Sequence, residues 1–255
     1  MPLLKINRLN FSFGEERILK DLNVECARGE FASLLGASGC GKSTLLRLIA
    51  KLKNPTSGEI SFEGDLKEKP FGFVFQQPTL LPWLSAVDNV ALPLKLSSAM
   101  PSNRRAVAAE ALELVGLNAN DQKKTPSQLS GGMQMRVSLA RAFVAKPALM
   151  LMDEPFSALD EVLRQQLCEA TLKLWKSEGW TTLFVTHNVA EAVFLSQRIF
   201  ILAGKPATIV DVIEVPFVDR TPELRASPEF MELVAKVGVR LRELVESDEQ
   251  AGRKD

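Results

Sequence analysis

The sequence predicts an α/β fold in which most strands run parallel and are buried. Residues 31–50 read as a strand, a glycine-rich loop and a helix, because an apolar run of strand length leads through glycines into apolar residues at helical spacing. The runs at 148–152 and 181–186 are also of strand length. Continuous apolar runs are typical of strands covered on both faces, as in parallel sheets.

The glycine-rich loop fits the pattern G-x-x-x-x-G-K-[ST], which predicts a polyphosphate site. Glycines let several backbone N–H groups converge, and the helix that follows adds its own unpaired N–H groups and positive dipole end. Lys42 can reach the β- and γ-phosphates, and the Ser43 hydroxyl can bind the accompanying Mg²⁺. The predicted contacts of the loop are Gly36, Ala37, Ser38, Gly39, Cys40, Gly41, Lys42, Ser43 and Thr44.

Composition excludes several classes of protein. Lysine plus arginine equals aspartate plus glutamate at 31 each, so the overall charge does not favour nucleic acid or an anionic membrane as the main partner. The three cysteines share no metal-ligand or C-x-x-C spacing, which favours a reducing compartment such as the cytoplasm. No stretch approaches the ~18 apolar residues needed to span a bilayer, so we expect any membrane role to come through a partner.

Two strands are predicted before the loop, at about 3–13 and 18–24. Phe13 lies at the end of the first strand, where its ring could stack on a purine base or pack as an ordinary core phenylalanine. After the first helix, the apolar strand 71–75 ends at Gln76 before a proline. The Gln76 amide oxygen could lie near Mg²⁺ or water, or the residue could belong to a surface turn.

The segment from Thr79 to Leu84 has an apolar but loop-like sequence. It is either subdomain core or a docking surface, and the sequence leaves both open. Ser85 is a candidate N-cap for a short helix, and residues 104–115 predict another. Leu129-Ser130-Gly131-Gly132 precedes a helical pattern with Arg136 and Arg141 on its polar side. This start is either a second anion-binding nest or a plain helix start with a serine cap.

Acidic residues and a histidine follow two of the predicted core strands. Asp153 and Glu154 come at the carboxyl end of the run 148–152, where open α/β sheets bind ligands. There Asp153 would hold the metal, and Glu154 would orient or deprotonate an attacking water. His187, the single histidine, directly follows the strand 181–186 and could contact a γ-phosphate or water. Strands at 198–202 and 208–215 and a tail helix at 230–245 complete the prediction.

Taken in order, these motifs resemble those of the ATP-binding cassette ATPases, the nucleotide-binding subunits of ABC transporters. In this resemblance Phe13 has the adenine-stacking position, Gln76 is the Q-loop glutamine and Leu129 to Gly132 form the LSGG signature. Asp153 and Glu154 close the Walker B strand, residues 157–160 match the D-loop with Asp160 as its last residue, and His187 is the switch histidine. The resemblance covers about residues 3–215.

More narrowly, the stretches around Gln76, LSGG and Asp153-Glu154 resemble importers of the nitrate, sulfonate and taurine group, whose relatives also take up pyrimidine-type precursors. Two positions depart from the common pattern. Phe13 replaces a commoner tyrosine, so stacking survives without the phenolic hydrogen bond, and Met135 stands where many cassettes have glutamine.

The resemblance implies an architecture and a set of partners. The cassette would cover residues 1–215, with a RecA-like, mostly parallel P-loop NTPase core (1–76 and 147–215), an antiparallel β edge and an inserted helical signature subdomain (77–146), followed by a helical tail (216–255). Two copies would close head to tail around ATP and Mg²⁺, with Ser130, Gly131, Gly132 and Asp160 at the partner's nucleotide and Ser43, Gln76 and Asp153 at the metal.

The implied catalytic set is Glu154, His187, Gln76 and Lys42, and the implied activity is ATP hydrolysis coupled to uptake of a small solute. A separate membrane permease, served by a solute-binding protein, would dock near Thr79 to Leu84 and hold the chain at the cytoplasmic face of the inner membrane. A soluble cassette ATPase would share the core but usually shows two cassettes, a coiled-coil insert or a basic face. A kinase or GTPase would lack LSGG and the paired carboxylates.

Overall fold

The computed structural model describes residues 2–64, 71–96 and 102–251. The strands in chain order are β1 (Pro2–Phe13), β2 (Glu16–Ala27), β3 (Phe31–Gly36), β4 (Ser57–Phe62), β5 (Phe71–Val74), β6 (Leu149–Asp153), β7 (Thr181–Thr186), β8 (Arg198–Gly204) and β9 (Ala207–Glu214). The helices are α1 (Lys42–Ile49), α2 (Ala86–Leu96), α3 (Arg104–Leu114), α4 (Gly131–Phe143), α5 (Glu161–Glu178), α6 (Val189–Leu195) and α7 (Pro228–Ala251).

The described residues form two compact units. One lies within Met1–Asp65 and Thr181–Asp255, and the other lies within Leu66–Trp180, so the second unit is an insertion in the sequence of the first.

The first unit is built on strands in the order β4-β1-β2-β9-β8-β3-β7. β1 pairs antiparallel with β2 and β4, and β9 pairs antiparallel with β8. β3 lies between β7 and β8 and is parallel to both. Every residue of β3 and β7 is buried, as expected of strands that are covered on both faces in a parallel sheet. β2 instead alternates buried and exposed positions toward its end, as expected of a strand with one solvated face.

The described part of the second unit contains the parallel strand pair of β5 and β6 and the α-helices α2, α3, α4 and α5. β5 runs parallel to β6, with Phe71 opposite Leu149 and Val74 opposite Met152. Helices α2, α3 and α4 pack on one another, and their buried faces consist mainly of alanine, valine and leucine. α5 is followed by Gly179, whose positive φ of 68° is the left-handed conformation common after helix C-termini.

The fold predicted from the sequence is confirmed in its main features: parallel buried strands, an antiparallel edge of β1, β2 and β4, and a helical insertion. Some bounds differ. α2 contains Pro93, which has no N–H group and so removes one backbone hydrogen bond from the helix. The tail helix α7 begins at Pro228 rather than residue 230 and extends to Ala251 rather than residue 245.

The predicted domain boundaries remain a prediction. Residues 1, 65–70, 97–101 and 252–255, which fall within the predicted core, helical subdomain and tail, lie outside the described residues. Among the helices that the structure describes, none has the length and apolar content needed to cross a membrane.

Candidate functional site

The glycine-rich loop connects β3 to α1, as predicted. Its last glycine, Gly41, is the N-cap of α1 and has a φ of 103°. A Cβ at this position would meet Leu19 Cδ2 at 2.8 Å, so both the backbone and the space require glycine. α1 then buries Leu45, Leu46, Leu48 and Ile49, which anchors the helix while its first N–H groups face the loop.

Lys42 folds back over the loop that precedes it. Its ammonium group donates hydrogen bonds to the carbonyl oxygens of Gly36 at 2.9 Å and Ala37 at 2.8 Å, and the residue is only 4% exposed. The positive charge is therefore held at the loop. Cys40 is also buried, with its thiol 3.9 Å from the Leu202 carbonyl oxygen.

His187 lies at the same sheet edge as the loop. In the parallel pair of β3 and β7, Leu35 lies opposite Thr186, so Gly36 and His187 leave their strands side by side. The histidine is exposed. The structure thus brings together, within the first unit, the phosphate loop and the histidine that the sequence placed 151 residues apart by number (187 minus 36).

Phe13 is a half-exposed ring and not a core phenylalanine. It is 47% exposed, whereas Phe11 is 7% exposed and meets it edge to face with 4.8 Å between the ring centroids. The Lys53 ammonium lies 4.6 Å from the Phe13 centroid. A supported ring with an accessible face is suited to stacking.

In the second unit, Asp153 and Glu154 lie where β6 ends. Asp153 is 5% exposed, and Glu154 has a positive φ of 44°, which is uncommon for a residue other than glycine. Because Val74 lies opposite Met152 in the parallel pair, Gln76 and Glu154 each come two residues after paired positions at one sheet edge. Glutamine and carboxylate oxygens there are the ligand types that suit Mg²⁺.

A serine connects these two residues, and sequence reasoning gave it no role of its own. Gln76 Nε2 donates to Ser157 Oγ at 3.3 Å, and Ser157 Oγ donates to the Glu154 carbonyl oxygen at 2.9 Å. The end of the Q-loop strand is thereby connected to the backbone of the candidate catalytic glutamate.

The signature segment begins α4. Ser130 is the N-cap, and its hydroxyl accepts a hydrogen bond from Met133 N–H at 3.3 Å, while Ser130 and Gly131 are exposed. A Cβ on Gly132 would approach Leu163 Cδ2 to 2.2 Å. Leu163 N–H in turn donates to Asp160 Oδ1 at 3.0 Å, so the signature and the D-loop are in contact through Leu163.

Arg141 holds the loop after Gln76, a role that its predicted place on the polar side of a helix did not indicate. The guanidinium donates to the carbonyl oxygens of Thr79 at 2.9 Å and Pro78 at 3.0 Å, and to Thr79 Oγ1 at 3.1 Å. Burial lowers the pKa of Arg141 from its ordinary value. Met135, on the same helix, is buried and therefore contributes to the apolar core.

Trp83 projects from a turn that a buried asparagine fixes. Asn89 accepts from Leu81 N–H at 2.8 Å and donates to the carbonyl oxygens of Leu81 at 3.1 Å and Leu84 at 3.2 Å. Trp83 itself is 73% exposed, so it does not belong to the core of its own subdomain. Ser85 caps α2 as predicted, accepting from Asp88 N–H at 3.3 Å.

Comparisons with known proteins agree with these motifs. The family model described as ABC transporter matches residues 19–157. The nitrate import ATP-binding protein NrtD of Synechococcus elongatus is 44% identical over 216 residues, covering 82% of this chain and 77% of that protein. The taurine import ATP-binding protein TauB of Pseudomonas aeruginosa is 40% identical over 243 residues, covering 90% and 92%.

A third relative and a solved structure extend this agreement. The aliphatic sulfonates import ATP-binding protein SsuB of Bacillus cereus is 40% identical over 229 residues, covering 88% of each chain. The dimeric ATP-binding cassette MJ0796, in a post-hydrolysis state bound to ADP and Pi, superimposes with a TM-score of 0.74 at 35% identity, covering 84% of this chain and 99% of that chain.

These likenesses confirm the resemblance drawn from the sequence, the cassette fold and the predicted ATPase activity. The chain belongs to the ABC transporter family, as one of its ATP-binding, ATP-hydrolysing subunits.

Proposed function

We propose that this chain is the ATP-hydrolysing subunit of an ABC importer and works as a head-to-tail pair of copies. The observation that carries the proposal is the exposed signature segment at the start of α4. Ser130 and Gly131 face solvent at a helix N-terminus, which is suited to an anion. The family match and the dimeric cassette MJ0796 support a nucleotide bound by a second copy as the occupant of this nest.

Each ATP is bound first by the phosphate loop. The loop amides and Lys42 bind the phosphates, Ser43 and Thr44 follow at the first turn of α1, and Phe13 stacks on the base. Lys42 already lies against the loop, so binding requires little change in where its charge is held. The site is completed from the partner copy by Ser130, Gly131, Gly132 and Asp160.

The magnesium ligands in this proposal are Ser43, Gln76 and Asp153. Their hydroxyl, amide and carboxylate oxygens suit this ion, which prefers few protein ligands and retains several waters. Bound Mg²⁺ would neutralise charge on the β- and γ-phosphates.

Hydrolysis depends on Glu154, and His187 and Gln76 also act on the reacting groups in this proposal. The Glu154 carboxylate orients the attacking water and accepts its proton, while His187 donates a hydrogen bond toward the γ-phosphate. The hydrogen bonds through Ser157 join Gln76 to the backbone that carries Glu154. A displacement of the Gln76 side chain is thereby transmitted to the backbone of Glu154.

The permease docks on the turn from Thr79 to Leu84. Support comes from the exposure of Trp83 and from the hydrogen bonds of Asn89 and Arg141, which fix this turn close to Gln76. Large aromatic side chains on a fixed loop are typical anchors of protein interfaces. Docking there places the chain peripherally at the cytoplasmic face of the membrane.

The transported solute is of the nitrate, sulfonate, taurine or pyrimidine-precursor type in this proposal. The support is three relatives that are ATP-binding proteins for the import of nitrate, aliphatic sulfonates and taurine. A solute-binding protein would deliver the solute to the permease.

The central test is Glu154→Gln. We expect ATP binding to be kept and hydrolysis to fall by about 100-fold or more, because the variant keeps the size of the side chain but cannot accept a proton. Steady-state phosphate release measures the loss of hydrolysis. Size-exclusion chromatography with ATP should detect a stable dimer. Glu178→Gln, at the far end of α5, is the matched control and should hydrolyse normally. Normal turnover in Glu154→Gln would refute the assignment of Glu154.

Phe13→Ala should weaken ATP binding by about 1 kcal/mol, the scale of one aromatic stacking contact, with little loss of stability because the ring is half exposed. Equilibrium titration with a fluorescent ATP analogue measures this, and Phe13→Trp should retain affinity. Phe11→Ala should weaken ATP binding less and mainly lower the melting temperature, since Phe11 is buried. The opposite pattern would exchange the two roles.

Trp83→Ala should leave ATP binding and the melting temperature of the isolated subunit nearly unchanged, because the side chain is 73% exposed. It should weaken assembly with the permease by about 2 kcal/mol or more, as expected of an interface anchor. Co-purification and uptake assays measure this loss. The control is Leu114→Ala, because Leu114 is also an exposed apolar residue but lies on α3, away from the turn in the sequence. Equal effects of both substitutions on assembly would argue against a specific docking turn.

A further inference from the structure

We propose that Thr186 and Glu191 are positioning residues that fix His187 relative to the phosphate loop. The inference deepens the proposed function and rests on the role given there to His187. Thr186 is the last residue of β7, and its hydroxyl takes part in two hydrogen bonds. It donates to Glu191 Oε2 at 2.6 Å and accepts from Asn188 N–H at 3.0 Å. Each of these bonds joins Thr186, which precedes His187, to a residue that follows His187 in the chain.

A third hydrogen bond closes the arrangement into a ring. Asn188 is the N-cap of α6, and its Oδ1 accepts from Glu191 N–H at 3.2 Å. Glu191 is therefore joined to Thr186 by its side chain and to Asn188 by its backbone. The ring spans residues 186–191, and the exposed His187 lies within that span.

Two of the three residues that form the ring are buried, and Asn188 is partly buried. Thr186 is 2% exposed and Glu191 is 5% exposed. A carboxylate taken out of water requires hydrogen-bond donors, and hydrogen bonds in a region of low dielectric are strengthened. The side chain of Glu191 is thus held in place, and through Thr186 it holds the backbone at Asn188.

The ring is also in register with the phosphate loop. Thr186 lies opposite Leu35, one residue before Gly36, in the parallel pair of β7 and β3. Holding the backbone on both sides of His187 therefore sets where the imidazole lies relative to the loop. A rotation of this short segment would move the His187 imidazole without disturbing the phosphate loop.

The same strand contains a matched control in Thr182. It lies four residues before Thr186, so both side chains face the same side of β7. Thr182 is 0% exposed, and its hydroxyl has no hydrogen-bond partner in the described part of the structure. Replacing each threonine by valine compares two buried hydroxyls that differ in whether they hold His187.

The experiment combines kinetics with NMR spectroscopy of the tag-free protein. His187 is the single histidine of the chain, so its imidazole protons give one assignable set of signals. We expect Thr186→Val to lower kcat for ATP hydrolysis by about tenfold with KM changed less than twofold, and to shift or broaden the His187 signals. Thr186→Ser should restore both within about twofold, and Thr182→Val should match the wild type.

A second pair of variants covers the case in which Thr186→Val fails to fold. Glu191→Gln keeps an oxygen that can accept the hydrogen bond from the Thr186 hydroxyl, so the His187 signals should stay in place. Glu191→Leu removes that acceptor and should reproduce the loss of kcat and the displaced signals.

The outcomes separate this inference from the proposed function. If His187→Ala keeps the wild-type kcat, the role proposed for His187 is wrong, and the inference is then judged by the NMR signals. If His187→Ala loses activity but Thr186→Val keeps both kcat and the His187 signals, the positioning role is wrong. A lower melting temperature of Thr186→Val without either change would mean that the ring is structural only.

Discussion

The parallel pairing of β3 with β7 is the constraint on which the first unit depends. Both strands are buried on both faces, so burial alone does not fix their register. Polar contacts at their amino ends do so: Gly29 N–H donates to Thr181 Oγ1 at 2.9 Å, and Thr182 N–H donates to the Glu30 carbonyl oxygen at 2.7 Å. A slip of one residue would break both contacts and would separate the glycine-rich loop from the histidine.

The sequence was sufficient where function depends on contiguous residues. The strand, loop and helix around Lys42 and the apolar strand before Asp153 could be predicted, because each is a short run with a strong local pattern. It was insufficient where distant residues meet. Arg141 binds Thr79 across 62 positions, and Gln76 reaches Ser157 across 81, and no local pattern reports such pairs. Burial also had to decide between two readings of Phe13.

Two side chains at helix starts combine a structural and a proposed functional role. Ser130 and Asp160 each accept a hydrogen bond from a backbone N–H in the first turn of the helix that follows. A hydroxyl that accepts still has its own proton to donate, and a carboxylate has further acceptor sites. Capping is therefore compatible with a contact to a nucleotide, and it orients the side chain before the nucleotide arrives.

The hydrogen bonds of Asn89 have a consequence for the thermodynamics of association. A loop that must become ordered on binding loses conformational entropy, and that loss subtracts from the affinity. Here one buried amide joins the backbone of Leu81, Leu84 and Ser85, so these hydrogen bonds restrain the turn before any partner binds. In the proposed docking, little of the interface energy from Trp83 is then lost on ordering the turn, because the surface that would meet the permease is already formed.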